Sequence, residues 1–259
     1  MSQTISSFLS KHSSDKKAIG ALNKKWLSYG ALRELKKDVH KALRKNGIAN
    51  QDRVAIVLPN GPTMATAFVT IAQCTTTAPL NPNYREDEFS FYLDDLKAKA
   101  LVVNDGYDGP AAAAAERLGI KIIRLIESEQ VAGLFSLVGD GDKDFIEDEE
   151  VCENDVALIL HTSGTTSRPK IVPLLQSNIA ASASNIAQSL SLSSADRCLN
   201  VMPLFHIHGL IAAVSASLSV GASIWCSSGF NALSFFSNLD EAKPTWYTAV
   251  PTMHQAILA

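Results

Sequence analysis

Short apolar runs that alternate with helical stretches constrain the fold of this chain more than any other feature. RVAIVLP (53–59), ALVV (100–103) and IKIIRLI (120–126) have the length and apolar content of buried strands. Stretches with helical apolar spacing surround them, at about 32–43, 62–74 and 86–98 and in a helix that starts in the alanine run 111–115. This alternation predicts an α/β fold of mostly parallel sheets with helices on both faces.

The same alternation continues after a strongly acidic segment, residues 139–155. VALIL (156–160), CLNVMPL (198–204), ASIWC (222–226) and WYTAV (246–250) are predicted strands, separated by predicted helices. We interpret the acidic segment as a solvated linker. A calcium loop is set aside because glycine is missing at the sixth position and glutamate at the twelfth. The chain is therefore divided into two βα segments, residues 1–150 and 151–259.

Composition argues against several classes of protein. The net charge of −3 gives no support for binding nucleic acid. The four cysteines lie far apart, which argues against a disulfide framework or a zinc site and is typical of a reducing compartment. The N-terminus lacks the apolar region of a secretory signal. Four serines and two glycines interrupt the longest apolar run, 209–225, so we predict a buried helix and a strand there and no membrane span.

The segment HTSGTTSRPK, residues 161–170, has the composition of an anion-binding loop. It directly follows a predicted strand, which is where open α/β sheets bind ligands. Gly164 allows a close backbone approach, Lys170 adds a positive charge, and Pro169 stiffens the exit. Hydroxyl donors come from Thr162, Ser163, Thr165 and Thr166. Together these residues favour phosphate groups over a simple carboxylate.

On composition alone, one alternative to a phosphate loop is excluded and one remains open. A Walker A loop requires glycine before the lysine and serine or threonine after it, whereas Pro169 and Ile171 flank Lys170 here. A polar Ser/Thr turn without any ligand is the simpler alternative.

Several motifs decide between these interpretations. The loop resembles the TSGTTGxPKG signature of the adenylate-forming superfamily, and MPLFHIHGL (202–210) resembles the second motif of that family. Residues 80–103 and 246–252 resemble two further family segments, so the resemblance spans nearly the whole chain. SRPKIVPL, MPLFHIHGL and KPTWYTAVPTMHQ resemble the oxalate–CoA ligase group, which is close to the 4-coumarate–CoA ligases.

The resemblance implies an AMP-forming acid–thiol ligase. Such enzymes join a carboxylate to ATP, release pyrophosphate and transfer the acyl group from acyl-AMP to CoA. ATP and CoA are then co-substrates, and Mg²⁺ enters with the nucleotide. The implied phosphate-binding residues are Thr162, Ser163, Gly164, Thr165, Thr166 and Lys170.

Two histidines carry the implied acyl site. His206 matches the position that lines the carboxylate tunnel in the family and is the predicted catalytic residue. His208 falls where relatives contact the acyl group, so both are predicted to bind substrate. A satisfied core histidine is the alternative for each. For a small diacid such as oxalate, an imidazole donor suits the distal carboxylate.

Three positions depart from the family pattern. Ser167 stands where glycine is usual, and a positive φ there would cost about 1 kcal/mol. Ile171 replaces the glycine after the lysine, and Gly229 stands where many relatives have a lysine that helps to hold CoA. These changes predict weakened handling of nucleotide or CoA.

Length is the largest departure from the family. The two predicted segments correspond to the N-terminal, AMP-binding part of the large domain, and no residue matches the later metal-binding acid, the ribose aspartate or the C-terminal lid domain with its lysine. We expect either a ligase whose missing C-terminal half or partner chain completes it, or a catalytically incompetent fragment that at most binds nucleotide phosphates. A cytoplasmic or peroxisomal location is expected, although the terminus ILA is no peroxisomal tripeptide.

Overall fold

Two sheets organise the computed structural model, which describes residues 3–141, 151–162 and 169–259. Within these ranges the strands are β1 (Lys17–Gly20), β2 (Leu27–Ser28), β3 (Arg53–Val57), β4 (Thr76–Pro79), β5 (Ala100–Asn104), β6 (Lys121–Glu127), β7 (Phe135–Val138), β8 (Val156–Thr162), β9 (Lys170–Leu175), β10 (Arg197–Asn200), β11 (Ser223–Cys226) and β12 (Trp246–Thr248).

Helices of the described residues cover both sheets. They are α1 (Ile5–Leu9), α2 (Tyr29–Lys45), α3 (Pro62–Ile71), α4 (Glu86–Leu96), α5 (Pro110–Arg117), α6 (Gln176–Ser189), a π-helix (His208–Ser215), α7 (Ala216–Ser219), α8 (Ala232–Ala242) and α9 (Pro251–Leu258). The predicted α/β class with mostly parallel sheets and helices on both faces is confirmed.

The larger sheet has seven strands in the order β7-β6-β5-β3-β4-β8-β9. Its inner strands are parallel, and β3 and β5 are buried over almost their whole length. Runs such as ALVV lack polar alternation because helices cover both faces of such strands. β7 and β9 are the two edge strands of this sheet, and each is antiparallel to its neighbour.

The smaller sheet has five strands in the order β12-β10-β11-β1-β2. β1 pairs in parallel with β11, so the start of the chain contributes to a sheet made mostly of residues after 196. β8 and β9, in contrast, extend the larger sheet. Each sheet thus draws strands from both sides of the boundary proposed at residues 150 and 151, and that division of the chain stays a prediction.

Two helices show how sequence patterns build the core. The buried residues of α2 recur at helical spacing, and Ser28 caps the helix by accepting a hydrogen bond from the Ala31 amide at 3.1 Å. α3 is buried at every position from Thr63 to Ile71 and contacts strands of both sheets. An apolar helix of this kind belongs inside a fold, and α3 joins the two sheets into one core.

The segment after the polar loop differs from the prediction. The helix predicted from Ser177 to Leu190 is present as α6 (Gln176–Ser189), but β9, which was not predicted, comes before it. β1, β2, β4 and β7 were also not predicted. The predicted helix at 208–219 is present, with its first eight residues wound as a π-helix. Part of the acidic segment, residues 142–150, lies outside the described residues.

Among the helices that the structure describes, none combines the length and the apolar character needed to cross a bilayer.

Candidate functional site

The polar loop connects two antiparallel strands. Thr162, at the end of β8, lies directly opposite Lys170, at the start of β9, and both side chains are exposed. The two ends of the loop are therefore held side by side at the edge of the larger sheet. The other predicted phosphate-binding residues, Ser163, Gly164, Thr165 and Thr166, lie outside the described residues.

A cleft of about 420 Å³ opens beside this hairpin. Its walls come from the segment before α4, from α4 itself, from β8 and β9, and from the segment before the π-helix. The lining residues that matter for chemistry are Asn81, Tyr84, Tyr92, His161, Thr162 and His206. Thr162 and His206 were both predicted from the sequence, and the fold brings them to one cleft. A groove of about 660 Å³ between α1 and α6 contains none of the predicted site residues.

His161 is the most constrained side chain of the cleft. Its side chain is 6% exposed, and its Nε2 lies 3.1 Å from Oδ2 of Asp95 on α4. Tyr92 lies one turn before Asp95 on α4, and its ring contacts the His161 imidazole edge-on, with 4.7 Å between the ring centroids. Burial lowers the pKa of His161, and the hydrogen bond and charge of Asp95 partly oppose that effect.

Tyrosines form the wall of the cleft on the α4 side. Tyr84 stacks on Tyr92 at 4.8 Å between ring centroids and packs against Phe89 at 5.8 Å. Burial, followed by the hydrogen bond with Tyr92, raises the pKa of Tyr84 further above neutral pH. This wall offers flat apolar faces with hydroxyl donors.

The two predicted acyl-site histidines have different surroundings. His206 is exposed in the cleft, and its Nδ1 accepts the His208 amide at 3.3 Å. That acceptor role leaves the Nε2 of a neutral His206 as the proton donor. His208 is absent from the cleft lining, and its Nε2 lies 2.6 Å from Oγ1 of Thr248 on β12. Burial, followed by the nearby His206, lowers the pKa of His208.

The structure gives physical reasons for two of the three departures from the family pattern. The Ile171 side chain is half-buried and packs against the core beneath α4. Gly229 has a φ of 128°, a conformation that favours glycine, so a lysine there would strain this backbone. Ser167 lies outside the described residues.

Sequence reasoning missed Tyr84, Tyr92 and His161, which line the cleft, and Asp95, which contacts His161. His161 begins the quoted loop, but strand residues are weak signals for function when considered alone. Tyr92 and Asp95 are three residues apart on a helix, so they share a face, although nothing in the sequence shows that this face meets β8.

Within residues 3–141, 151–162 and 169–259, no group of three or more His, Cys, Asp or Glu side chains is arranged to hold a metal ion.

Comparison with known proteins identifies curated CoA ligases that are similar to this chain. An oxalate–CoA ligase of Arabidopsis thaliana is 36% identical over 99% of this chain and 52% of its own length. An oxalate–CoA ligase of Saccharomyces cerevisiae is 35% identical over 82% of this chain and 43% of its own length. The chain therefore spans about half the length of the curated relatives it matches.

Solved structures show the same relation. Apo MatB from Rhodopseudomonas palustris matches with a TM-score of 0.83 at 23% identity, covering 100% of this chain and 51% of that protein. A long-chain fatty-acid–CoA ligase from Archaeoglobus fulgidus gives a TM-score of 0.81 at 26% identity, over 98% and 52%. The described fold is thus the N-terminal part of such an enzyme. The AMP-binding enzyme model matches residues 8–259, and the chain belongs to that family of adenylate-forming enzymes.

Proposed function

We propose that this chain carries the phosphate site and part of the carboxylate site of an AMP-forming carboxylate–CoA ligase. The proposed substrate is a small carboxylic acid, and oxalate is the preferred candidate. One observation carries the proposal. The hairpin that holds both ends of the polar loop shares a cleft with His206. Relatives called oxalate–CoA ligase, at 35% and 36% identity, support the choice of acid.

The chemistry requires a phosphate site next to a carboxylate site. A carboxylate is a poor electrophile, and linking it to AMP provides a leaving group that the thiol of CoA can displace. The carboxylate attacks the α-phosphorus of ATP, pyrophosphate departs, and the thiol then releases AMP. ATP, CoA and Mg²⁺ are thus the expected co-substrates and ion. The protein contributes mainly position and charge compensation.

The described ends of the loop fit this task. Thr162 offers an exposed hydroxyl and Lys170 an exposed ammonium at neighbouring positions across the ladder. A phosphate chain that entered here would meet donors from both strands. In this proposal Ser163, Gly164, Thr165 and Thr166 complete the cradle, as the family motif implies.

His206 gives the proposal its preference for a small acid. The Nε2 donor of a neutral imidazole can hydrogen-bond an anionic oxygen without an additional buried charge. The cleft holds about 420 Å³, ample for a small diacid beside phosphate groups. His208, bonded to Thr248, is assigned a supporting place behind His206 rather than direct contact in the cleft.

The apolar surface on α8 and α9 favours a second possibility, an incomplete chain that is not catalytically competent alone. Leu233 is 97% exposed, Leu258 86% and Phe236 59%, and β12 lies at the edge of its sheet. Such surface is typical of an interface with more protein. We propose that the remaining half of the enzyme, or a partner chain, covers it. Alone, the chain then binds nucleotide phosphates at most.

ATP–pyrophosphate exchange tests both functions. The 259-residue chain is assayed with oxalate and with 4-coumarate, first alone and then co-expressed with the remaining half of the Arabidopsis oxalate–CoA ligase. We expect no exchange alone and oxalate-dependent exchange from the pair. The variant His206→Gln should lower exchange with oxalate, and His40→Gln on α2, outside the cleft, is the matched control.

Direct titration with ATP separates binding from catalysis. We expect the chain alone to bind ATP, and Lys170→Ala to weaken that binding. If the folded chain binds neither ATP nor pyrophosphate, the phosphate site is refuted. Exchange with 4-coumarate but not with oxalate would refute only the proposed acid.

A further inference from the structure

His161 and Asp95 form a partly buried contact that has no role in the proposed reaction. The carboxylate of Asp95 and the imidazole of His161 meet at 3.1 Å, and the Tyr92 ring packs against the imidazole edge-on. His161 precedes Thr162, the first residue of the proposed phosphate cradle, and both line the cleft. The pair is thus the last described side-chain contact of β8 before the loop.

The contact fixes which ring nitrogen carries the proton. An ionised carboxylate only accepts hydrogen bonds, so Nε2 of His161 donates to Asp95. Nδ1 of the neutral ring then keeps its lone pair and can accept a proton. Asp95 itself is partly exposed, at 39%.

Other titratable and charged groups surround the pair. Tyr92 comes from α4 and Tyr84 from the segment before it, and Lys170 lies one residue further along the β8–β9 ladder, opposite Thr162. His206 faces the same cleft. In the ligand-free chain, burial outweighs Asp95 and lowers the pKa of His161, so the ring is neutral near pH 7.

An anion in the loop changes this balance. A bound polyphosphate adds several negative charges beside the end of β8, and negative charge nearby favours the imidazolium. Lys170 offsets part of the charge of the anion. The carboxylate of Asp95 already contacts the His161 ring, so no side chain has to move to stabilise an imidazolium. His161 therefore has a ready counter-ion on one side and gains an anion on the other.

We propose that His161 is a positioning residue that binds a proton when a polyphosphate occupies the adjoining loop, with Asp95 as its hydrogen-bonded counter-ion. This inference rests on the proposed phosphate site. The proton comes from solvent and bonds to Nδ1, while the Nε2–H bond to Asp95 is kept. No other bond forms or breaks, and the proton returns to solvent when the anion leaves.

Calorimetry tests the proton count. The 259-residue chain is titrated with pyrophosphate and with tripolyphosphate near pH 7, in two buffers whose ionisation enthalpies differ. The difference in apparent binding enthalpy gives the protons taken up per bound anion. We expect the wild-type chain to take up more protons per bound anion than His161→Gln does, with Asp95→Asn in between, because protons exchanged by the anion itself are common to all three.

Asp94→Asn is the matched control. It removes one negative charge from the same helix, but Asp94 is exposed and pairs with Lys97 at 3.0 Å, away from His161. We expect wild-type proton uptake from this variant. Equal uptake in wild type and His161→Gln would overturn the inference.

A measurement on the unmodified chain covers the case in which a variant fails to fold. The ¹⁵N shifts of the His161 imidazole, followed against pH with and without pyrophosphate, should show a higher pKa in the complex. An unchanged pKa in a saturated complex overturns the inference and leaves the phosphate site standing. Failure of the wild-type chain to bind either anion refutes both.

Discussion

Asn60 offers a quantitative test of how the two sheets are joined at the cleft. It lies in the turn between β3 and α3, and its Oδ1 accepts the Leu204 amide at 2.9 Å. Leu204 is 1% exposed and leads directly into Phe205, His206 and Ile207, which line the cleft. The Asn60 amide group also approaches the Ser227 carbonyl at 3.5 Å, a distance too long to contribute much.

Asn60→Ala should therefore cost one good hydrogen bond and leave a buried amide without its acceptor. We expect the free energy of unfolding to fall by about 1–3 kcal/mol. The loss is local, so the Leu204 amide should exchange with solvent about 5- to 150-fold faster. Ligands of the cleft should bind more weakly because the segment that carries His206 is no longer held.

Urea denaturation and hydrogen exchange measure the two effects, with Asn81→Ala as the matched control. Asn81 Oδ1 also accepts one amide, that of Asn83 at 3.0 Å, but in an exposed turn where water can replace it. The control should change the free energy of unfolding by less than about 0.5 kcal/mol. Equal effects of the two variants, or unchanged exchange at Leu204 in Asn60→Ala, would contradict the role given to Asn60.

Three further predictions concern other buried polar groups. Tyr29→Phe should lower the free energy of unfolding by about 1–2 kcal/mol, measured in urea, because the buried Tyr29 hydroxyl donates to the Ala222 carbonyl at 2.7 Å. Thr248→Val should cost about 1 kcal/mol through the lost contact with His208, whereas the exposed Thr252→Val should be nearly neutral. Burial lowers the pKa values of His12, His161 and His208 in the folded chain. Below about pH 6.5 the unfolded chain therefore binds more protons than the folded chain, and the free energy of unfolding should fall as the pH drops. Urea midpoints measured at several pH values test this. A flat profile between about pH 7 and 5 would contradict that linkage.

The elements that were predicted from the sequence share one property: the spacing of apolar residues within each element shows which side is buried. The strand at Arg53–Val57 and the helix at Tyr29–Lys45 carry their own apolar pattern, and both were predicted within a few residues. β9 was missed for the opposite reason. It is half-exposed at a sheet edge and contains Pro173, which normally argues against a strand but is tolerated at an edge.

The candidate site divides in the same way. His206 and the loop residues belong to continuous motifs, so the sequence was enough to single them out. The contact between Asp95 and His161 joins α4 to β8, and its existence depends on the order of strands in the larger sheet. No local pattern encodes that order, which is why this contact beside the cleft was not predicted.

The place of β1 in the smaller sheet has a consequence for synthesis on the ribosome. Ile19 pairs with Ile224, whereas β3, β5 and β6 find their partners within a much shorter stretch of chain. At about 5–20 residues per second, β1 waits roughly 10–40 s before β11 is made. The larger sheet can begin to assemble in that interval, while Ala18 and Ile19, both fully buried in the end, remain open to chaperones and to other nascent chains.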